Sequence, residues 1–260
     1  MEELKRTETA DLARLDWQVA QNLMGFVDDP TVLSGDAADE QVMIQKYSGK
    51  KKSTIPITIG VLKSYMYAYL GEYELGANLA LQRGDAYLKI SPGSMIGMWD
   101  VFCRGLCLYA VARKTGKRKF KRPADQARKK IRSWSEKGNP NVNHHLLLLN
   151  AEHAALGGHV QQAHTMYEKA ISAAGSGGFT QDAALANERY SDFLTNIDTE
   201  ASSSRVQEAV RLYNAWGAHY KVLTLRRAHP ESFDMTVQSS TRNVVSRSSS
   251  LTSMAVTANS

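Results

Sequence analysis

A chain of 260 residues with 43% hydrophobic and 22% charged residues has the composition of an ordinary globular protein, long enough for one large core, two domains or a short solenoid. Six prolines and the lack of any rhythm of short alternating strands argue against an all-β fold, and two cysteines are too few for a disulfide framework or a thiolate zinc site. A formal net charge of +6 permits an acidic partner without requiring one.

The N-terminal run MEELKRTETADLARLDW is charged and acidic early on, unlike a signal peptide or an Arg-rich transit peptide. No run is read as reaching the roughly eighteen apolar residues of a membrane span. Together with Cys103 and Cys107, expected as free thiols on one helix face, this predicts a soluble cytoplasmic protein. One or more helices are expected within 2–48, followed by a basic linker, so that residues 1–54 form an N-terminal segment. GKKKST at 49–54 has the glycine, lysines and hydroxyls of a phosphate loop. It lacks the second glycine that lets backbone amides cradle phosphate, so no nucleotide or other cofactor is expected.

From residue 55 a spacing recurs: a small residue, a larger one four on, another seven on. It occurs as Gly76, Ala80, Arg83, as Ala127, Ile131, Trp134, as Ala163, Tyr167, Ala170 and as Ala209, Tyr213, Trp216. Offsets of four and seven place the three side chains on one stripe of a helix. The small residue lets a neighbouring helix approach and the bulky one fills the groove beside it. Each such helix follows another apolar helix and a tight turn, as in HHLLLLNAEHAALGGHVQQAHTMYEKAI, where Leu148, Ala151 and Ala155 form the inner stripe and Gly157-Gly158 breaks it. The spacing predicts hairpins near 55–90, 94–138, 141–175 and 179–217, with 218–228 capping the last. No hairpin buries its stripe alone, so neighbours must stack.

Within the second unit, the run ARKTGKRKFKRPADQARKK at 112–130 is the strongest charge feature, with Lys117, Arg118, Lys119, Lys121 and Arg122 as a candidate patch for an acidic partner. Pro123 is expected to open the following helix at its first turn. Phe120 is the single aromatic there, which argues against a base-stacking platform and against specific nucleic-acid binding. The third unit crowds His144, His145, His153, His159 and His164 together. Zinc needs three or four ligands on one side, and His144 and His153 face opposite ways on one helix, so no metal site is expected.

The fourth unit, FTQDAALANERYSDFL, gathers Asp182, Asn187, Glu188, Arg189, Tyr190 and Asp192. Ala183, Ala186, Tyr190, Phe193 and Leu194 lie at stripe spacing, with Thr180 expected as N-cap. Gln181, Glu188, Ser191 and Asp192 are read as largely on the other side, and Asn187 and Arg189 as bordering the stripe where they could bond across a helix interface, so this is a structural helix and not a catalytic cluster. No catalytic residue is assigned. Beyond residue 228, SSTRNVVSRSSSLTSMAVTANS is Ser/Thr-rich and predicted disordered, with Arg247 three residues before Ser250 in a spacing that suits a basophilic kinase.

The ordered series GKRKFKR, WSEKGNPN, LLLLNAEHAAL, MYEKAI, GFTQDAALANERYSDFL and EAVRLYNAWGAHYKVLTL resembles the helical-repeat segment of large multi-domain signalling proteins. These are the AAA-type ATPase and hybrid histidine-kinase proteins of cyanobacteria, expanded in diatoms. The resemblance covers about 55–228. In that family the repeat follows kinase-like and ATPase domains and precedes a GAF sensor. This chain lacks the family's phosphate-binding loop, kinase catalytic loop and phospho-accepting histidine helix, so the resemblance implies the scaffold without the activities, in a remnant, a truncated reading or a short paralogue.

The expected protein is therefore an all-α solenoid of tetratricopeptide-like hairpins spanning 55–228, with a disordered tail over 229–260. It is expected to be a non-catalytic scaffold in signal transduction, binding a kinase, ATPase or sensor domain through a concave surface that presents Asn150, Glu188 and Arg189. The rival expectation is a sensor that holds a small effector inside the superhelix.

Overall fold

The computed structural model describes residues 2–50 and 53–233; the expected tail beyond residue 233, with Arg247 and Ser250, lies outside them. Among the described residues the chain is all-α, its one departure being an isolated bridge between Ser34 and Asp39. The helices are α1 Glu2–Met24, α2 Glu40–Tyr47, α3 Ile55–Leu70, α4 Tyr73–Arg83, α5 Ala86–Ile90, α6 Met95–Thr115, α7 Arg118–Glu136, α8 Asn143–Leu156, α9 Val160–Ser176, α10 Thr180–Leu194, α11 Thr199–Trp216 and α12 His219–Ala228.

Four of the pairs are hairpins, α3 with α4, α6 with α7, α8 with α9 and α10 with α11. Their turns follow from local chemistry. Gly71 ends α3 at φ 86°, a left-handed conformation that only glycine adopts without strain. Ser94 opens α6 by accepting from the Gly97 amide at 3.1 Å, and Asp198 opens α11 by accepting from Ala201 at 2.9 Å. The first two positions of the recurring stripe enter the core, with Ile131, Ala163, Tyr167, Ala209 and Tyr213 wholly buried, whereas Arg83, Trp134 and Trp216 at its third position are half-buried. At Gly76 a Cβ would stand 2.5 Å from Cys107 Sγ, so the small residue sets how closely α4 approaches α6.

The hairpins do not run in an open row. α12 returns to the beginning of the chain, where the Lys221 ammonium donates to the Leu70 carbonyl at 3.2 Å and the Tyr220 Cβ lies against Gly25. The Trp216 ring lies 5.5 Å from that of Tyr69 on α3. Residues before 55 join the same core through Leu15, Val19, Leu23, Met43 and Tyr47. Gln18 and Asn22 on α1 pin the loop to α2, Gln18 Oε1 accepting from the Ala37 and Ala38 amides and Asn22 Nδ2 donating to the Pro30 carbonyl.

Three local expectations are corrected. Pro123 lies inside α7, which starts at Arg118 because the buried Phe120 anchors an extra turn ahead of the proline. The N-cap of α10 is Phe179 and not Thr180, leaving Asp182 in the first turn. Finally, α6 is long and apolar enough to cross a membrane, yet it is the central core helix, with residues 100–112 buried in succession against neighbouring helices.

Candidate functional site

α10 is buried on every side, from Asp182 through Ser191, because α9 and α11 flank it while residues of α3, α8 and α12 close over the rest. Its polar residues therefore face other helices. Glu188 and Arg189, expected on an open concave surface, are 5% and 3% exposed. Asn150 is half-buried and accepts from Arg128 Nη1 at 3.0 Å. Glu188 and Arg189 are thus not presented to solvent as that expectation had it, and Asn150 is only partly so.

Three buried polar clusters result. In the first, Arg189 forks onto Glu152 at 2.8 and 3.2 Å, while Glu152 also accepts from Tyr167 at 2.9 Å and from Arg113 at 3.2 Å. Burial alone would raise the Glu152 carboxyl, but the Arg113 and Arg189 charges outweigh it and hold it below its ordinary value. In the second, Glu188 accepts from Lys221 at 2.7 Å, from Tyr213 at 2.8 Å and from Tyr73 at 3.2 Å.

The third joins Asp182 to His144, His145 and Tyr69. His144 Nε2 lies 3.0 Å from Asp182 Oδ2, His145 Nε2 lies 3.4 Å from Oδ1, and the Tyr69 hydroxyl donates to Oδ1. Burial opposes the Asp182 charge, yet the two imidazoles hold its carboxyl well below the carboxylate range. Burial pushes His145 down, against the pull of Asp182. His144, His145 and Asp182 are all buried. Sequence reading set the histidines aside by comparing His144 with His153, which does turn away to pair with Asp125 at 3.1 Å. It missed Asp182. The signal was present: His144 and Asp182 are 38 residues apart, within one of the offset between the starts of their two hairpins at Asn143 and Thr180, so stacking brings the two first turns side by side.

Two solvent-exposed features bear on binding. A cleft of about 330 Å³ lies between the α3–α4 turn and the ends of α6 and α10, lined by Tyr73, Glu74, Arg113, Lys114, Arg189 and Asp192 among others. The other is α7, where Phe120, Ala124, Ala127 and Ile131 face the core and the opposite face is basic. Lys117, Arg118, Lys119, Lys121, Arg122, Lys129 and Arg132 are exposed there, with no ion pair among the described residues. The flanking Lys114 and Lys130 are paired, with Glu74 at 2.8 Å and Asp85 at 2.6 Å.

GKKKST is occupied otherwise than a phosphate loop. Glu8 accepts from the Thr54 amide at 2.8 Å and from the hydroxyls of Ser53 and Thr54 at 3.0 and 3.2 Å. A carboxylate thus stands where a phosphate would need donors. No protein-family model, curated protein or solved structure matches the chain.

Proposed function

We propose that the chain is a non-catalytic, tetratricopeptide-like solenoid, closed by α12 and α1, that binds an acidic segment of a signalling protein through the exposed face of α7. One observation carries this reading: Arg118, Lys119, Lys121, Arg122, Lys129 and Arg132 on the outer side of α7, with Lys117 just ahead of it, form no ion pair among the described residues, Lys119 lying only over the Phe120 ring, while the acids of the inner helices are taken up by their own bases and hydroxyls. Like charges so arranged repel one another, and an acidic partner relieves that repulsion. The resemblance to the repeat segment of signalling ATPase and histidine-kinase proteins supplies the class of partner, a kinase, ATPase or sensor domain. Two buried free thiols suit a reducing, cytoplasmic setting.

The test uses a fluorescent polyglutamate peptide and the chain with Lys119→Glu, Arg122→Glu and Lys129→Glu combined. The chain should bind the peptide at low salt, weaken steeply as salt rises and lose tenfold or more in affinity in the variant. Equal binding by the variant contradicts the proposal. Preference for duplex DNA over the peptide would replace the protein partner by a nucleic acid.

The second reading, a sensor of a small effector, rests on the 330 Å³ cleft, whose lining mixes Arg113 and Lys114 with Glu74 and Asp192. That pattern suits a ligand carrying both charges. A zwitterionic metabolite that raises the melting temperature, and fails to do so in Arg113→Gln, would favour it.

A further inference from the structure

We propose that His144, His145 and Asp182 form a structural zinc site that ties the third hairpin to the fourth. The three residues come from the first turns of α8 and α10, and one ligand atom from each lies within 4.8 Å of the other two. Zinc bound at about 2.0–2.2 Å by nitrogen and oxygen separates adjacent ligand atoms by about 3.0–3.5 Å. The observed separations are 3.0 Å from His144 Nε2 to Asp182 Oδ2 and 3.4 Å from His145 Nε2 to Oδ1. Each carboxylate oxygen thus faces a different imidazole. A bidentate Asp182 with two Nε2 atoms makes a closed four-coordinate N₂O₂ set, and each imidazole then carries its proton on Nδ1. Two imidazoles with one carboxylate select zinc over calcium or magnesium, which require oxygen ligands throughout.

The surroundings hold these ligands in position. The Phe102 ring stacks on His145 at 4.0 Å and 18°, and Phe179 stacks on His144 at 4.3 Å and 19°. The Tyr69 hydroxyl donates to Asp182 Oδ1 from α3, the kind of outer contact that orients a ligating carboxylate. Among the described residues, Asp182 has no other basic partner than the two histidines. A second imidazole is also more than the carboxylate needs. His145 is buried with Nδ1 unpartnered, and a 3.4 Å contact at Nε2 is a small return for that cost. A metal bond at Nε2 offsets it. This inference is independent of the reading of α7.

Because the ligands are buried, loading belongs to folding, and the experiment loads the full chain there. The chain is purified from zinc-supplemented medium and assayed for metal, then stripped with chelator in denaturant and refolded with one equivalent of Zn²⁺ or Co²⁺. We expect one ion per chain after gel filtration and a higher melting temperature than in the metal-free chain. The Co²⁺ form should show the d–d absorption of a four-coordinate site. His145→Phe, which keeps a ring against Phe102, should abolish stoichiometric binding, and the Co²⁺ spectrum of the unaltered chain stands as evidence even where that variant fails to fold. An unaltered chain that carries no stoichiometric ion and melts identically with and without zinc overturns the proposal. So does undiminished binding by His145→Phe.

Discussion

Lys221 Nζ stands 2.7 Å from Glu188 Oε1, and with both groups buried this pair holds α12 against the middle of α10. On the outer side of the helix, where the sequence places Glu188, a change to Gln would be nearly silent for the fold. The structure reverses that expectation, because the amide leaves a buried ammonium without its counter-charge. Breaking such a pair costs about 3–5 kcal/mol, whereas replacing both members with apolar residues is often neutral. In urea denaturation Glu188→Gln should lower stability by roughly that amount, and Glu188→Leu combined with Lys221→Met should recover most of it. A loss below about 1 kcal/mol in the single variant would mean that the pair is solvated and that α12 is anchored by something else.

Glu152 sets the sign of the acid response. Its carboxyl is held low in the folded chain, so its contribution is complete above the unfolded value of about 4.3 and is lost as pH falls through the folded value. Stability should therefore drop on acidification below about pH 4.3, and Glu152→Gln should flatten that limb while lowering stability at neutral pH. Melting curves between pH 3 and 7 test this (a range of about four units bracketing the carboxylate titration). An unchanged acid limb in Glu152→Gln would place the titrating group elsewhere.

The GKKKST loop should be inert. With Ser53 and Thr54 bonded to Glu8, ATP hydrolysis and phosphate uptake are expected to stay at background, and Lys50→Ala, which removes a cation 4.6 Å over the Tyr47 ring, should change neither. Turnover that copurifies with the chain and vanishes in Lys50→Ala would contradict the non-catalytic reading.

The basic face of α7 should be dispensable for stability. Lys121→Gln combined with Arg122→Gln removes two exposed, unpaired charges from a repelling row, so calorimetry should show a change within about 0.5 kcal/mol or a gain. A clear loss would show that these cations are structural and not held for a partner.

The helix pairs were legible because burial in a hairpin is written in small offsets. Ala163, Tyr167 and Ala170 at spacings of four and three are all buried, and the expected units at 94–138, 141–175 and 179–217 contain the helix pairs α6–α7, α8–α9 and α10–α11 to within a residue. What offsets do not encode is how far the array curls. Asp182 meets Tyr69 from 113 residues away, and Glu188 meets Tyr73 from 115, and no local pattern announces either contact. Since an ordinary surface helix has a polar face in water, Glu188 and Ser191 were assigned to that face. A helix enclosed on all sides gives polar residues internal partners instead. The neighbouring pair His144 and His145 was hidden for the same reason, its third member lying one hairpin on.

Closure of the helical array is the feature from which the buried Glu188 follows, and Trp216 reports on it directly. Stripe-to-stripe packing of α11 on α10 would set Trp216 against Tyr190 and Phe193. Those two rings instead meet Tyr167, at 5.0 and 5.5 Å, while the half-buried Trp216 lies against Tyr69 of the first hairpin. Hydrogen exchange of Trp216→Ala is therefore the decisive measurement. The account predicts that amides of residues 60–70 lose protection together with those of 199–228, because the first and last hairpins support each other. Loss confined to 199–228, with 60–70 as protected as in the unaltered chain, would contradict it.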